Sequence, residues 1–262
     1  MRYLLTIFTI GITCLAVLWL KSPRSPQLFG TCVSRVKTEE KIVALTFDDG
    51  PSSYTEPLLA ALRQYGVKAT FFLLGNHAET HPELVRQIYT DGHEIGNHSY
   101  SHQPLIFRSA SFIREEIEKT DQIIRRAGYT GPIHFRAPYG RKLVALPRIL
   151  KEMHRPHILF DVIPDDWASP GISLIVSRIV EKVRPGSIVL CHDGSESGVE
   201  QDRSQTVEAM PIMIEKLKKE GYRFVTISEL LQATRHLPQK NRSRAMGNQE
   251  SAPEPHPQTA PY

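Results

Sequence analysis

Between about residues 41 and 234, short apolar runs alternate with longer stretches whose apolar residues recur every three or four positions. The runs at 42–47, 69–74, 94–96, 133–136, 158–162, 188–191 and 224–227 read as strands. Helical periodicity falls between most of them. Ile113, Ile117, Thr120 and Ile124 share one face after Ser111, as do Met210, Ile214 and Leu217 further on. Gly128 and Gly221 stand just past these helices, where a left-handed residue is favoured. Strands alternating with helices predict an α/β fold with a parallel sheet. About seven such strands predict a distorted, incomplete (β/α) barrel, with an open doubly wound sheet as the alternative. No repeat of solenoid period is present.

The ends of the chain follow other rules. Residues 3–20 carry no charge over eighteen positions, between Arg2 and the pair Lys21 and Arg24. That length lies at the border between a long signal peptide and a short membrane-spanning helix. The bulky Val17-Leu18-Trp19-Leu20 offers no small-x-small cleavage site, so residues 1–20 fit an uncleaved signal-anchor better than a cleaved signal peptide. Thr13 before Cys14 does not suit a lipid-anchor motif, and basic residues on both flanks leave orientation unread. Residues 21–40 read as a linker. Residues 235–262, with Pro238, Pro253, Pro255, Pro257 and Pro261 among polar residues, read as a disordered tail. One domain, 41–234, is left between them.

Composition narrows the function. The 262 residues are 40% hydrophobic, enough for a packed core, and 32 basic against 28 acidic residues give a net charge of +4. That balance, without a basic block, argues against a nucleic-acid partner. The three cysteines, Cys14, Cys32 and Cys191, form no CxxC, which argues against a cysteine zinc site. A Cys32–Cys191 disulfide is open to test, with Cys191 read as a small buried apolar residue.

In parallel barrels the chemistry gathers at the carboxyl ends of the strands. Asp48 and Asp49, His98, Arg136, Asp166 and His192 all fall at such ends. Of two adjacent carboxylates, one can bind a metal while the other takes a proton from water; Asp-Gly-Pro is also ordinary turn material. His98 and His102 converge on one metal if their segment turns helically. With one carboxylate they make three ligands and leave positions open, as a catalytic zinc site requires. Two histidines and a carboxylate also suit non-haem iron oxygenases, which the α/β pattern disfavours. Zinc is the first expectation, with cobalt, nickel or manganese as alternatives. His93 is ambiguous between ligand and buried strand residue; His77, His81, His134, His154 and His157 read as surface or core. His192 closes an apolar strand, where it fits either a general acid or a turn.

Five blocks, in order, carry a resemblance: Thr46-Phe47-Asp48-Asp49-Gly50, His98-Ser99-Tyr100-Ser101-His102, Arg136-Ala137-Pro138-Tyr139-Gly140, Asp165-Asp166-Trp167 and Leu190-Cys191-His192-Asp193. Together with Asp91-Gly92-His93-Glu94-Ile95-Gly96-Asn97 they resemble the polysaccharide deacetylases with a NodB-type domain (carbohydrate esterase family 4), over about residues 41–230. The resemblance implies a hydrolase that removes acetyl groups from N-acetylated sugars of an envelope polysaccharide, such as peptidoglycan or chitin-like oligomers. It implies Asp48 as general base, Asp49, His98 and His102 as metal ligands, and His192 as general acid. Asp166 would pair with His192, and Arg136 would orient or balance Asp48. The Tyr139 backbone N–H would stabilise the oxyanion, and Trp167 and Leu190 would line the pocket for the acetyl methyl. An exported domain, membrane-anchored or secreted to the envelope, follows from such a substrate. An O-deacetylase of acetylxylan type and a non-catalytic carbohydrate-binding scaffold are the alternatives. Two departures stand out: Ile163 occupies a position where the family often has Asp, and Ala137 replaces a frequent Pro; Asp165 competes with Asp166 if the register slips by one. The loops 76–81, 103–109 and 195–203 are expected to shape the groove.

Overall fold

The computed structural model describes residues 32–140, 145–196 and 201–233. Strand β2 (Ile42–Asp48) is buried along its whole length, as a strand covered on both faces must be. One edge pairs with β6 (Ser187–His192) through residues 43–48. The other edge is shared: residues 42–44 pair with β7 (Arg223–Val225) and residues 46–48 with β3 (Thr70–Leu73). Strand β3 continues to β4 (Glu94–Asn97), and β1 (Cys32–Val33) pairs with β5 (His157–Ile158). All these pairings are parallel. Single bridges from Phe135 to Asn97 and to His157, and from Val162 to Val189, carry the sheet round from β4 back to β6. The result is the distorted, incomplete (β/α) barrel that the alternation predicts. Its distortion lies where one edge of β2 serves two partners.

The helices cover the outside of this sheet. They are α1 (Thr55–Gln64), α2 (Gly75–Thr80), α3 (Pro82–Thr90), α4 (Ala110–Arg126), α5 (Ala145–Glu152), α6 (Ile172–Val180), α7 (Ser204–Lys219) and α8 (Ile227–Ala233). Helix α4 starts where the Ser109 hydroxyl accepts the Phe112 N–H at 3.2 Å and ends among Arg125 and Arg126, which suit the negative end of the helix. It buries Ile113, Ile117, Thr120 and Ile124, the face read from the sequence, and α7 buries Met210, Ile214 and Leu217. Gly128 (φ 103°) and Gly221 (φ 89°) take the left-handed conformation expected of them.

Strand alternation separates two environments. Val43, Leu45 and Phe47 point towards the helices, in a cluster with Leu58, Phe71, Ile88 and Met210; Phe47 and Phe71 stack at 5.1 Å. Ala44 packs with Phe72, Ile158 and Ile188 on the opposite face, and Thr46 and Asp48 share that inward direction. A polar residue at the inner end of β2 therefore faces the barrel mouth.

Several expectations change. The linker assigned to 21–40 ends earlier, because Cys32, Val33 and Val36 are buried and Cys32–Val33 is a strand. Segment 133–136 makes only isolated bridges, with Phe135 bridging Asn97 and His157, and Arg136 is wholly buried beside it. The 158–162 run divides into β5 and the single bridge at Val162. Cys32 and Cys191 are both buried free thiols, so no disulfide joins them; Cys32 Sγ instead meets His157 Nδ1 at 3.7 Å. The anchor at 1–20 and the tail at 235–262 lie outside the described residues, among which no helix is long and apolar enough to cross a membrane.

Candidate metal centre and active site

Asp48 is the last residue of β2, and Asp49 (φ 73°) turns the chain out of the strand before a cis Gly50–Pro51 bond. Ser99 (φ 71°), His102 (φ 57°) and Tyr139 (φ 59°) are also left-handed. Such residues cost of order 1–3 kcal/mol each and persist only where the surroundings over-determine them. Here they do. His77 Nδ1 donates to the Asp49 carbonyl at 2.9 Å, and the Ser99 N–H donates to Asn97 Oδ1 at 2.8 Å. The Glu116 carboxylate, buried on α4, accepts from the N–H groups of Tyr100 and Ser101 at 3.0 and 2.9 Å. Two glycines let the β2 and β6 loops meet: a Cβ on Gly50 would strike the Asp193 carboxylate, and one on Gly194 the Asp49 carbonyl.

This framework brings Asp49, His98 and His102 together, all buried, with one ligand atom from each within 4.8 Å of the others. His98 Nε2 and His102 Nε2 lie 3.4 and 3.3 Å from Asp49 Oδ1. That oxygen is buried without a hydrogen-bond donor. Burial pushes Asp49 up to about 7, with the neighbouring Asp48 charge adding to it. Burial also lowers His98 and His102 to about 3, so both rings are neutral at ordinary pH. His98 Nδ1 donates to the Arg136 carbonyl at 2.8 Å, which fixes its tautomer and leaves the Nε2 lone pair aimed at Asp49. An orphaned carboxylate oxygen facing two neutral imidazole nitrogens costs free energy as it stands. It is the donor set that a divalent cation of zinc type completes.

Two acid–base pairs flank this group. Arg136 is fully buried and donates from Nη1 to Asp48 Oδ1 at 2.6 Å and to Thr46 Oγ1 at 2.8 Å. Its Nε and Nη2 donate to the carbonyls of Ile158 and Leu159 at 3.3 and 3.2 Å, and its guanidinium lies 4.1 Å from the centre of the Phe72 ring. Burial raises the Asp48 pKa despite this partner. Across the mouth, His192 Nδ1 donates to Asp166 Oδ1 at 2.9 Å, and Asp166 Oδ2 accepts from the His192 N–H at 2.8 Å and from Thr206 Oγ1 at 2.9 Å. Burial opposes the His192 charge most strongly, but the charge and hydrogen bond of Asp166, with the nearby Asp49 and Asp48 carboxylates, together hold the imidazole up at about 9. The register is therefore that of Asp166. Asp165 points away and meets Arg178 at 3.1 Å.

The remaining predicted residues rim the centre. Leu190 is buried on β6, whereas Tyr139 and Trp167 are about half exposed. The Tyr139 ring packs against His102 at 4.8 Å. His93 stays out of the site: its Nδ1 accepts the Ala69 N–H at 3.2 Å, and its ring meets Phe71 edge-on. The sequence reading missed His77, Glu116, Asp193, Glu196 and Arg203. Buried Asp193, raised to about 7 by burial, accepts from Thr55 Oγ1 at 2.6 Å. Arg203 donates to the carbonyls of Gly194 and Trp167 at 2.7 and 3.3 Å, tying two loops of the rim together. Asp193 adjoins His192 within a recognised block, which is a signal; Glu116 and Arg203 lie far along the chain from the residues they support.

Comparison with known proteins places the chain among similar sequences and folds. A sequence profile described as Polysaccharide deacetylase matches residues 35–156. A peptidoglycan-N-acetylglucosamine deacetylase of Bacillus cereus is 41% identical over 199 residues, 75% of this chain and 91% of that protein. The crystal structure of the Bc1960 peptidoglycan N-acetylglucosamine deacetylase superposes with a TM-score of 0.71 at 36% identity, covering 76% of this chain and 92% of that one. A CE4 family pseudoenzyme from Bacillus anthracis superposes with a TM-score of 0.70 at 31% identity, over 78% and 69% of the two chains.

Proposed function

Because the chain belongs to the polysaccharide deacetylase family, we propose that it hydrolyses the N-acetyl groups of N-acetylglucosamine units in an envelope polysaccharide, peptidoglycan before chitin-like oligomers. The observation that carries this reading is the buried Asp49–His98–His102 group, with its orphaned carboxylate oxygen, set between a carboxylate on one side and a charged imidazole on the other. A divalent cation held there, zinc before cobalt, nickel or manganese, supplies Lewis acidity to the acetyl carbonyl and lowers the pKa of water towards ~7.

The chain supplies the rest. Asp48 takes a proton from the attacking water, its geometry fixed by Arg136 at 2.6 Å. The Tyr139 N–H meets the charge that develops on the carbonyl oxygen; losing such a donor typically costs about 10²–10³ in rate. His192, kept protonated by Asp166, gives its proton to the sugar nitrogen as the C–N bond breaks, leaving a free amine and acetate. Trp167 and Leu190 wall the space for the methyl group. Residues 3–20 fit an uncleaved anchor for an exported domain, with a cleaved signal peptide and secretion to the envelope as the alternative.

The test is acetate release from N-acetylglucosamine oligomers and from peptidoglycan by residues 30–235, with each of the four metals. No release from any acetylated glycan with any metal refutes the reading. Faster turnover of acetylated xylan than of amide substrates would favour the ester alternative. The scaffold alternative gains if Asp48→Asn abolishes deacetylation but leaves the cellular role intact; a full ligand set speaks against it.

A further inference from the structure

Glu196 belongs to none of the five sequence blocks, yet it reaches the centre. It stands on the loop after β6, and its Oε1 accepts the Tyr139 hydroxyl at 2.7 Å. The same oxygen lies 3.6 Å from His102 Nδ1. His102 turns Nε2 towards Asp49, so when Nε2 binds a cation the ring proton sits on Nδ1. The two histidines are unequal on this outer side. His98 Nδ1 has the Arg136 carbonyl at 2.8 Å, whereas His102 Nδ1 is buried without a hydrogen-bond partner. The Glu196 carboxylate is the acidic group beside it, less than 1 Å beyond an ordinary N–H···O length of about 2.9 Å. Tyr139 completes a bracket: its ring packs on one side of His102 while its hydroxyl holds the carboxylate.

We propose that Glu196 is the outer carboxylate of the metal centre, a positioning residue that accepts the His102 Nδ1 proton in a hydrogen bond and locks Tyr139 against the same ring. This rests on Asp49, His98 and His102 holding a cation, and it assigns a role to a side chain outside that set. A carboxylate behind a ligating imidazole fixes the ring and makes it a better donor, and losing one typically lowers metal affinity 10- to 100-fold. The bracket also joins the loop after β6 to the turn at 138–140, so cation binding and the shape of the groove beside His102 are coupled.

The test reads metal binding directly. Zinc dissociation constants are measured by competition with a chromophoric chelator, without substrate, for the full chain and for Glu196→Gln, Glu196→Ala, Glu196→Asp and Tyr139→Phe. Glu196→Gln keeps an acceptor for the tyrosine but loses the charge, and its affinity is expected to fall roughly tenfold. Glu196→Ala is expected to fall further, towards about 100-fold, and Glu196→Asp to recover part of the loss. Tyr139→Phe leaves the carboxylate in place, so it should bind zinc within about threefold of the parent while its KM for glycan rises. Metal-free unfolding midpoints should match the parent throughout, since the Glu196 side chain is about half exposed. Parent-like zinc affinity in both Glu196→Gln and Glu196→Ala overturns the proposal and leaves Glu196 as a simple tether for Tyr139. So does an affinity loss matched by a loss of metal-free stability. Zinc binding by the parent without acetate release would instead count against the deacetylase reading.

Discussion

Replacing Arg136 by Met isolates the most exposed electrostatic dependence of the fold. The guanidinium is wholly buried, and its charged partner among the described residues is Asp48, at 2.6 Å. Removing one member of such a pair leaves the other charge uncompensated in a medium that cannot solvate it, at about 3–5 kcal/mol. For a domain of this size that corresponds to a fall of roughly 10 °C in Tm. Burial already raises the Asp48 pKa against the pull of Arg136, so the variant raises it further. The sign follows. A carboxyl whose folded pKa lies above its unfolded value contributes most to stability when protonated, and loses that contribution as pH rises through the folded pKa. The penalty of Arg136→Met therefore grows as pH rises above the ordinary carboxyl range, and is read at pH 5 and at pH 8. Denaturant unfolding at both pH values, with chelator present to exclude metal, gives the two free energies. Asp48→Asn in the same background should recover much of the loss. The part due to the Thr46, Ile158 and Leu159 oxygens should remain, since each loses a donor and a buried unpaired acceptor costs about 1–3 kcal/mol where no water reaches it. A penalty under about 1 kcal/mol at pH 8, or one larger at pH 5 than at pH 8, refutes the claim that this pair governs the barrel interior.

Other outcomes follow from the same site. Asp48→Asn should lower acetate release by about 10²–10⁴ while bound metal, measured by atomic emission, stays unchanged. The basic limb of the rate profile should lie near pH 9, where His192 loses its proton; Asp166→Asn should move it down towards the ordinary value of about 6.5. The raised His192 pKa also contributes stability that is complete below about 6.5 and lost as pH climbs to about 9, measurable as a falling unfolding free energy that Asp166→Asn abolishes. Zinc affinity should drop close to tenfold per unit below about pH 7, where Asp49 takes up a proton, with no added loss from the histidines until far lower. A pH-independent affinity between 5 and 7 would exclude Asp49 as a ligand.

What the sequence made legible was whatever a local pattern specifies. Strand β2 reads as a strand because residues 42–47 form a nearly unbroken apolar run, and α4 reads as a helix because Ile113, Ile117, Thr120 and Ile124 keep one face. The chemistry at the strand ends was legible because a parallel barrel sends those residues to one mouth. Closure of the barrel was not, since it depends on single residues such as Phe135 and Val162 and on the two-residue strand Cys32–Val33, too short to show periodicity. Nor were Glu116, Arg203 and Glu196 legible as supports. No periodicity or motif marks them, and an acidic or basic side chain on a helix or loop looks the same whether it faces solvent or caps a strained turn.

The approach of Gly50 to Asp193 and of Gly194 to Asp49 has an evolutionary consequence. The turn after β2, beside Asp48, and the turn after β6, beside His192, touch backbone to side chain and backbone to backbone, so neither can gain a side chain without prying the other away. Substitution there is closed as a route to new substrates. Diversification of the groove must come through segments outside that contact, such as the loop carrying Phe107, whose ring is almost wholly in solvent. The reaction and the choice of glycan thus sit on parts of the chain that can drift at different rates.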